Sequence, residues 1–124
     1  ILPKNLNLIN KKKDVKPFMQ EASLVLNLSR PNECIETFGL TILEALAFGI
    51  PVIVPPVGGP SEMVTDGQEG FLLDSCKTEQ ISDKIRELAV NPELCQLLSI
   101  NARKRSLEFT EMKFNNKLLR ILEI

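Results

Sequence analysis

A chain of 124 residues that is 44% hydrophobic and 25% charged carries enough apolar material for one globular core. Its 15 basic and 16 acidic residues leave a net charge of -1, which excludes any overall electrostatic pull toward nucleic acid. The absence of His, Trp and Tyr excludes Ser-His-Asp and Cys-His catalysis, the common zinc sites and sugar stacking on exposed indole or phenol rings.

In chain order, residues 5–9 read as a short strand, and Lys11, Lys12 and Lys13 as a polar, solvated turn. Asp14 can cap a helix running to about Ala22, with Val15, Phe18, Met19 and Ala22 at helical spacing. Residues 23–28 read as a buried strand that opens into a loop over residues 30–37. A helix follows, closed by Gly49 and Pro51, and Val52, Ile53 and Val54 make the next buried strand, ended by Pro55 and Pro56. Gly58 and Gly59 lead into Pro60 at the first turn of another helix, with Glu62 close to its N-terminus.

An Asp66-Gly67 turn precedes a further strand over residues 70–73. From Thr78 onward the chain reads as helical. Ile81, Ile85, Leu88 and Ala89 share one face, and Asn91-Pro92 divides this helix from one carrying Leu94, Leu97 and Leu98. A last helix holds Phe114, Leu118, Leu119, Ile121 and Leu122. The alternation of short apolar runs with helical periods predicts an α/β fold with an open, mostly parallel sheet. In such sheets ligands bind at the C-terminal ends of strands, near a reversal of strand order, and the loops at 29–38 and 55–60 both lie at such ends. Cys34, Cys76 and Cys95 are odd in number and far apart, so free thiols are expected rather than a disulfide framework or a metal site.

The richest segment is residues 29–64. Glu36 precedes the central helix and Glu44 lies inside it, flanked by Leu43, Ala45, Leu46 and Ala47, so that helix is expected to be apolar almost all round and its charge to need a partner. Thr37 is a candidate N-cap, and no Glu or Gln stands where a capping box would place one. The amides of Phe38, Gly39, Leu40 and Thr41 are therefore offered at the positive end of the helix dipole, with Gly39 allowing close approach, which suits a phosphate. Read as ordinary structure, Glu44 would be a buried ion pair, Glu36 a solvated loop carboxylate, and Gly58 and Gly59 a plain helix entry.

The run E-T-F-G-L-T-I-L-E-A-L-A-F-G-I-P-V-I, followed by V-G-G-P-S-E-M-V, resembles the C-terminal, donor-binding half of retaining group 1 glycosyltransferases of the GT-B fold. The resemblance continues more weakly through Asp66-Gly67, Gly70-Phe71-Leu72 and the helical tail. It implies a Rossmann-like sheet with flanking helices and a helical C-terminal tail, making residues 1–124 a partial nucleotide-sugar-binding domain without its acceptor domain. The implied activity is transfer of a sugar from a nucleoside diphosphate sugar to a sugar or lipid-linked acceptor with retention, in polysaccharide or glycoconjugate biosynthesis.

By the same resemblance Glu36 sits beside the donor sugar as the catalytic carboxylate. Phe38, Gly39, Leu40 and Thr41 hold the diphosphate and sugar, and Glu44 binds the ribose hydroxyls; Gly58 and Gly59, in the loop at a strand's C-terminal end, are a candidate site loop. No metal or other cofactor is expected. The basic pair that neutralises the diphosphate in the family has no match upstream of Asn5, and Lys11 to Lys13 do not replace it. The fragment alone is therefore expected to be inactive and, with an uncovered sheet edge, to self-associate. No apolar span of membrane length is read, so the expected location is the cytoplasm, peripheral to the membrane in the complete enzyme. A nonhydrolysing nucleotide-sugar epimerase and a noncatalytic nucleotide-binding module are the alternative readings.

Overall fold

A computed structural model describes residues 3–10 and 13–122. Three parallel strands, β1 (Val25–Leu26), β2 (Val52–Val54) and β3 (Gly70–Leu72), lie in the order β1-β2-β3, with Val25 opposite Val52 and Val52 opposite Gly70. Parallel neighbours need crossovers, and helices supply them. They are α2 (Leu40–Ala47) with α3 (Gly59–Met63) along the first two strand connections, preceded by α1 (Lys16–Glu21) and followed by α4 (Thr78–Val90), α5 (Pro92–Ser106), a 3-10 turn (Leu107–Phe109) and α6 (Glu111–Ile121).

β2 is buried along its whole length, as a central parallel strand covered on both faces must be. Ile42, Leu46, Ile53 and Leu98 have almost no exposed surface, and each such burial contributes roughly 1.5–3 kcal/mol. α5 packs against α2 through the buried Leu98 and Ala102 and carries α2's position into the helical tail. Of two helix-start signals, Asn91 acts as read, whereas Val15 takes the cap position of α1 without a side-chain bond and Asp14 stands one residue before it. Asp14 accepts a hydrogen bond from the Lys16 amide at 2.9 Å, and the Asn91 side chain accepts from Leu94 N at 3.0 Å to start α5. No helix among the described residues is long and apolar enough to cross a membrane.

Several expectations need correcting. Residues 5–9 form no strand; a strand exists through its ladder, and the backbone bond found there is a turn from Leu6 N to Pro3 O, leaving Leu6, Leu8 and Ile9 exposed. Of the lysine run, Lys13 is exposed, while Lys11 and Lys12 lie outside the described residues. The strand order shows no reversal among the described strands. Ile81, Leu88 and Leu98 are buried, but Ala89 and Leu97 face solvent, and so do the apolar residues of α6. The three cysteines are free thiols.

Candidate functional site at the tip of the second helix

The chain leaves β1 into residues 27–39 and leaves β2 into residues 55–58, so both loops emerge at the C-terminal edge of the sheet. The first loop is folded by local bonds. Asn27 Oδ1 accepts from Ser29 N at 2.9 Å and Ser29 Oγ at 2.6 Å, and Cys34 N donates to Arg30 O at 3.0 Å beneath an exposed Arg30–Glu33 ion pair. Ser75 Oγ, from the loop after β3, donates to Ser29 O at 3.0 Å and ties the third loop to the first.

The two main loops meet backbone to backbone. Gly59 N donates to Glu36 O at 2.9 Å. A Cβ on Gly59 would stand 2.7 Å from both Phe38 Cα and Phe38 O, and one on Gly58, whose φ is 81°, would strike Glu36 O. Gly39 has φ 77° and faces the Pro60 ring, where a Cβ would lie 2.8 Å from Cγ. These glycines answer a close approach of protein to protein, whereas Gly39 was expected to make room for a ligand.

The cap also differs from expectation. Gly39, not Thr37, is the residue before the first helical turn of α2, and no side chain caps it. Glu36 turns back instead: its Oε1 accepts from Phe38 N at 3.3 Å and Gly39 N at 3.4 Å. Thr37 is displaced from the role because the left-handed Gly39 inserts two further residues before the helix begins. Leu40 N and Thr41 N have no hydrogen-bond partner among the described residues, as befits the first amides of a helix. Thus Glu36 and the four expected amides do come together, with the carboxylate already covering two of them.

Glu44 is half-buried and makes no ion pair among the described residues. α2 is not apolar-buried all round: Ile42, Ala45 and Leu46 face the core, while Leu40, Thr41 and Ala47 are exposed. At 100° per residue Glu44 shares the outer stripe with Leu40, one turn and about 6 Å of axial rise further on. Neither the buried ion pair nor a core-facing charge is what the structure contains. Glu44 presents a carboxylate with no partner among the described residues, on the face that begins at the helix tip.

Sequence reasoning missed the tip's other neighbours. A groove of about 610 Å³ runs beside it, lined among others by Thr37, Phe38, Gly59, Met63, Phe109 and Phe114. Phe38 is 60% exposed, and Phe109 and Phe114 come from the tail, where the sequence shows only helical periodicity. Arg105 was missed as well. It donates from Nε to Met63 O at 3.1 Å and from Nη2 to Glu62 O at 3.0 Å, closing the C-terminal end of α3, and its Nη1 pairs with Glu108. A basic residue in the last turn of α5 was the available signal, but nothing in the sequence points it at α3.

Comparison with known proteins settles the family. The model of "Glycosyl transferases group 1" matches residues 1–105, which include every residue of the tip. The chain belongs to this family. Among curated relatives, an uncharacterised glycosyltransferase of Methanocaldococcus jannaschii is 35% identical over 97 residues, covering 78% of this chain and 26% of its own length. The D-inositol 3-phosphate glycosyltransferase of Saccharomonospora viridis is 37% identical over 86 residues, covering 69% of this chain and 20% of its own length. The fold matches the crystal structure of HepE of Anabaena in complex with UDP at a TM-score of 0.79 and 26% identity, over 90% of this chain and 30% of that one. This three-stranded parallel arrangement is thus the Rossmann-like fold of the C-terminal domain of GT-B enzymes, and the chain spans about a quarter of these relatives' length.

Proposed function

We propose that this chain supplies the donor-binding part of an enzyme that transfers a sugar from a nucleoside diphosphate sugar to an acceptor with retention. The family supports transfer chemistry, and the similarity to a UDP complex supports the class of donor. The observation that carries the reading is the outer stripe of α2: Leu40 and Thr41 amides at the helix tip and the carboxylate of Glu44 one turn behind, all without a partner among the described residues.

A diphosphate at the tip accepts hydrogen bonds from these amides and gains from the helix dipole, an interaction worth about 0.3–1 kcal/mol per charge at an exposed terminus. Glu44 can accept from two vicinal ribose hydroxyls, one to each oxygen. Glu36 holds the Phe38 and Gly39 amides when no donor competes for them. A diphosphate oxygen arriving there displaces a like-charged group, and the carboxylate turns toward the sugar, where it orients the ring and stabilises positive charge developing at the anomeric carbon. The leaving diphosphate is then met by the released amides. The acceptor, a sugar or a lipid-linked sugar, is bound by a separate domain, and the setting is cytoplasmic assembly of a polysaccharide or glycoconjugate.

Titration with UDP, GDP and dTDP and their hexose conjugates tests the donor assignment. Saturable binding that is weakened by Glu44→Gln supports it. Binding indifferent to Glu44 returns that residue to a structural role.

A further inference from the structure

α3 has five residues, too few for more than one or two internal backbone bonds, so outside contacts must hold it in place. Its first residues press on the Glu36 loop. Gly59 N bonds Glu36 O, and Gly58 and Gly59 lie so close to the backbone of residues 36–38 that neither could carry a Cβ without moving it. Its last carbonyls, Glu62 O and Met63 O, are both taken by the Arg105 guanidinium. That guanidinium is held in turn by Glu108 and lies 5.1 Å from the centre of the Phe109 ring. Its side chain is 26% exposed.

The geometry points to Arg105 as a positioning residue for the donor site: clamped to the end of α3, it sets how the start of α3 bears on the Glu36 loop and the tip of α2. The consequence for donor binding rests on the function proposed above. The positioning itself does not. Arg103 shows by contrast what a single contact from the same turn of α5 does, since among the described residues its Nη2 donates only to Phe48 O, at 3.3 Å, behind the far end of α2. Arg105 needs its planar fork: Nε and Nη2 address two successive carbonyls while Nη1 meets a carboxylate, and a lysine ammonium on a flexible stem cannot reproduce that plane.

Amide hydrogen exchange on the whole 124-residue chain reads the clamp directly. Gly59 N reports the loop contact, and Leu73 N, which donates to Val54 O at 2.9 Å within the sheet, reports general opening. In Arg105→Lys, exchange at Gly59 is expected to accelerate at least about tenfold relative to Leu73, the worth of one charge-assisted hydrogen bond. Glu108→Gln, a mild exposed change that only loosens the guanidinium, is expected to shift Gly59 in the same direction by less. Ile81→Val, a truncation at a buried position of α4, is expected to move both amides together. If Gly59 and Leu73 move together in Arg105→Lys and in Glu108→Gln, the inference is overturned.

UDP titration of the same samples separates the two claims. Weaker binding in Arg105→Lys than in Ile81→Val supports the link to the donor site, and equal binding overturns it. A wild-type chain that does not bind UDP sinks the donor reading, while the exchange data still decide the clamp.

Discussion

Replacing Gly59 with Ala opposes two physical effects of opposite sign, and the structure decides between them. Gly59 lies in the first turn of α3, where an alanine in a helix is ordinarily better by roughly 0.5–1 kcal/mol. The added methyl, however, would stand 2.7 Å from Phe38 Cα and from Phe38 O and would also strike Thr37 O, all main-chain atoms that cannot rotate away. Carbon atoms prefer separations of about 3.5–4.0 Å, so the two loops must part by roughly 1 Å. That overpacking costs about 1–3 kcal/mol, and weakening the Gly59 N to Glu36 O bond adds about 1 kcal/mol. The net expectation is a loss of about 1–3 kcal/mol after the helix gain is subtracted. With a urea dependence of about 1–2 kcal/mol per molar, the unfolding midpoint should fall by about 0.5 M or more. Amide shifts should change at residues 36–39. A midpoint equal to or above that of the parent chain would refute the close packing of these loops.

Other predictions follow from the same geometry. In an enzyme that joins this chain to its acceptor domain, Glu44→Gln should mainly raise the donor KM, by about tenfold for loss of a hydrogen bond to a charged group, and Glu36→Gln should mainly lower kcat. Steady-state kinetics check this, and equal effects of both changes on donor binding would make Glu36 a binding contact only. Asn91→Ala removes the acceptor for Leu94 N and should cost about 1 kcal/mol in denaturant unfolding. The isolated chain should self-associate through the exposed apolar face of α6, where Phe114 is 65% and Ile121 is 77% exposed, and Phe114→Lys should reduce the mass seen by light scattering across a concentration series. A parent chain that stays monomeric throughout that series would remove the basis for the prediction.

The parts of the fold governed by local chemistry were legible in the sequence. β2 was bounded by Pro51 and Pro55, α5 by Asn91-Pro92, and α3 by a Gly-Gly-Pro entry, and each lies within a residue or so of its expected place. Where a distant partner alone decides between two states, the sequence was not a sufficient guide. Residues 5–9 have strand composition, yet nothing among the described residues pairs with them. The apolar spelling of α2 suggested burial on all sides because Leu40 and Ala47 are apolar but exposed, which obscured Glu44's place on the outer stripe. At the site, the grouping of Glu36 with the four tip amides followed from spacing along the chain. The left-handed Gly39 cap, the return of Glu36 onto Phe38 and Gly39, and the hold of Arg105 on α3 did not, since each depends on loops that meet only after the sheet has formed.

Binding of a nucleoside diphosphate by the tip of α2 and its outer stripe underlies the proposed function. Titrating UDP into the isotope-labelled chain while following every backbone amide tests this most directly. Saturable shifts are expected, concentrated at Phe38, Gly39, Leu40 and Thr41, extending to Glu44, and weakened in Glu44→Gln. Saturable shifts centred elsewhere, with these five amides unmoved, would contradict it.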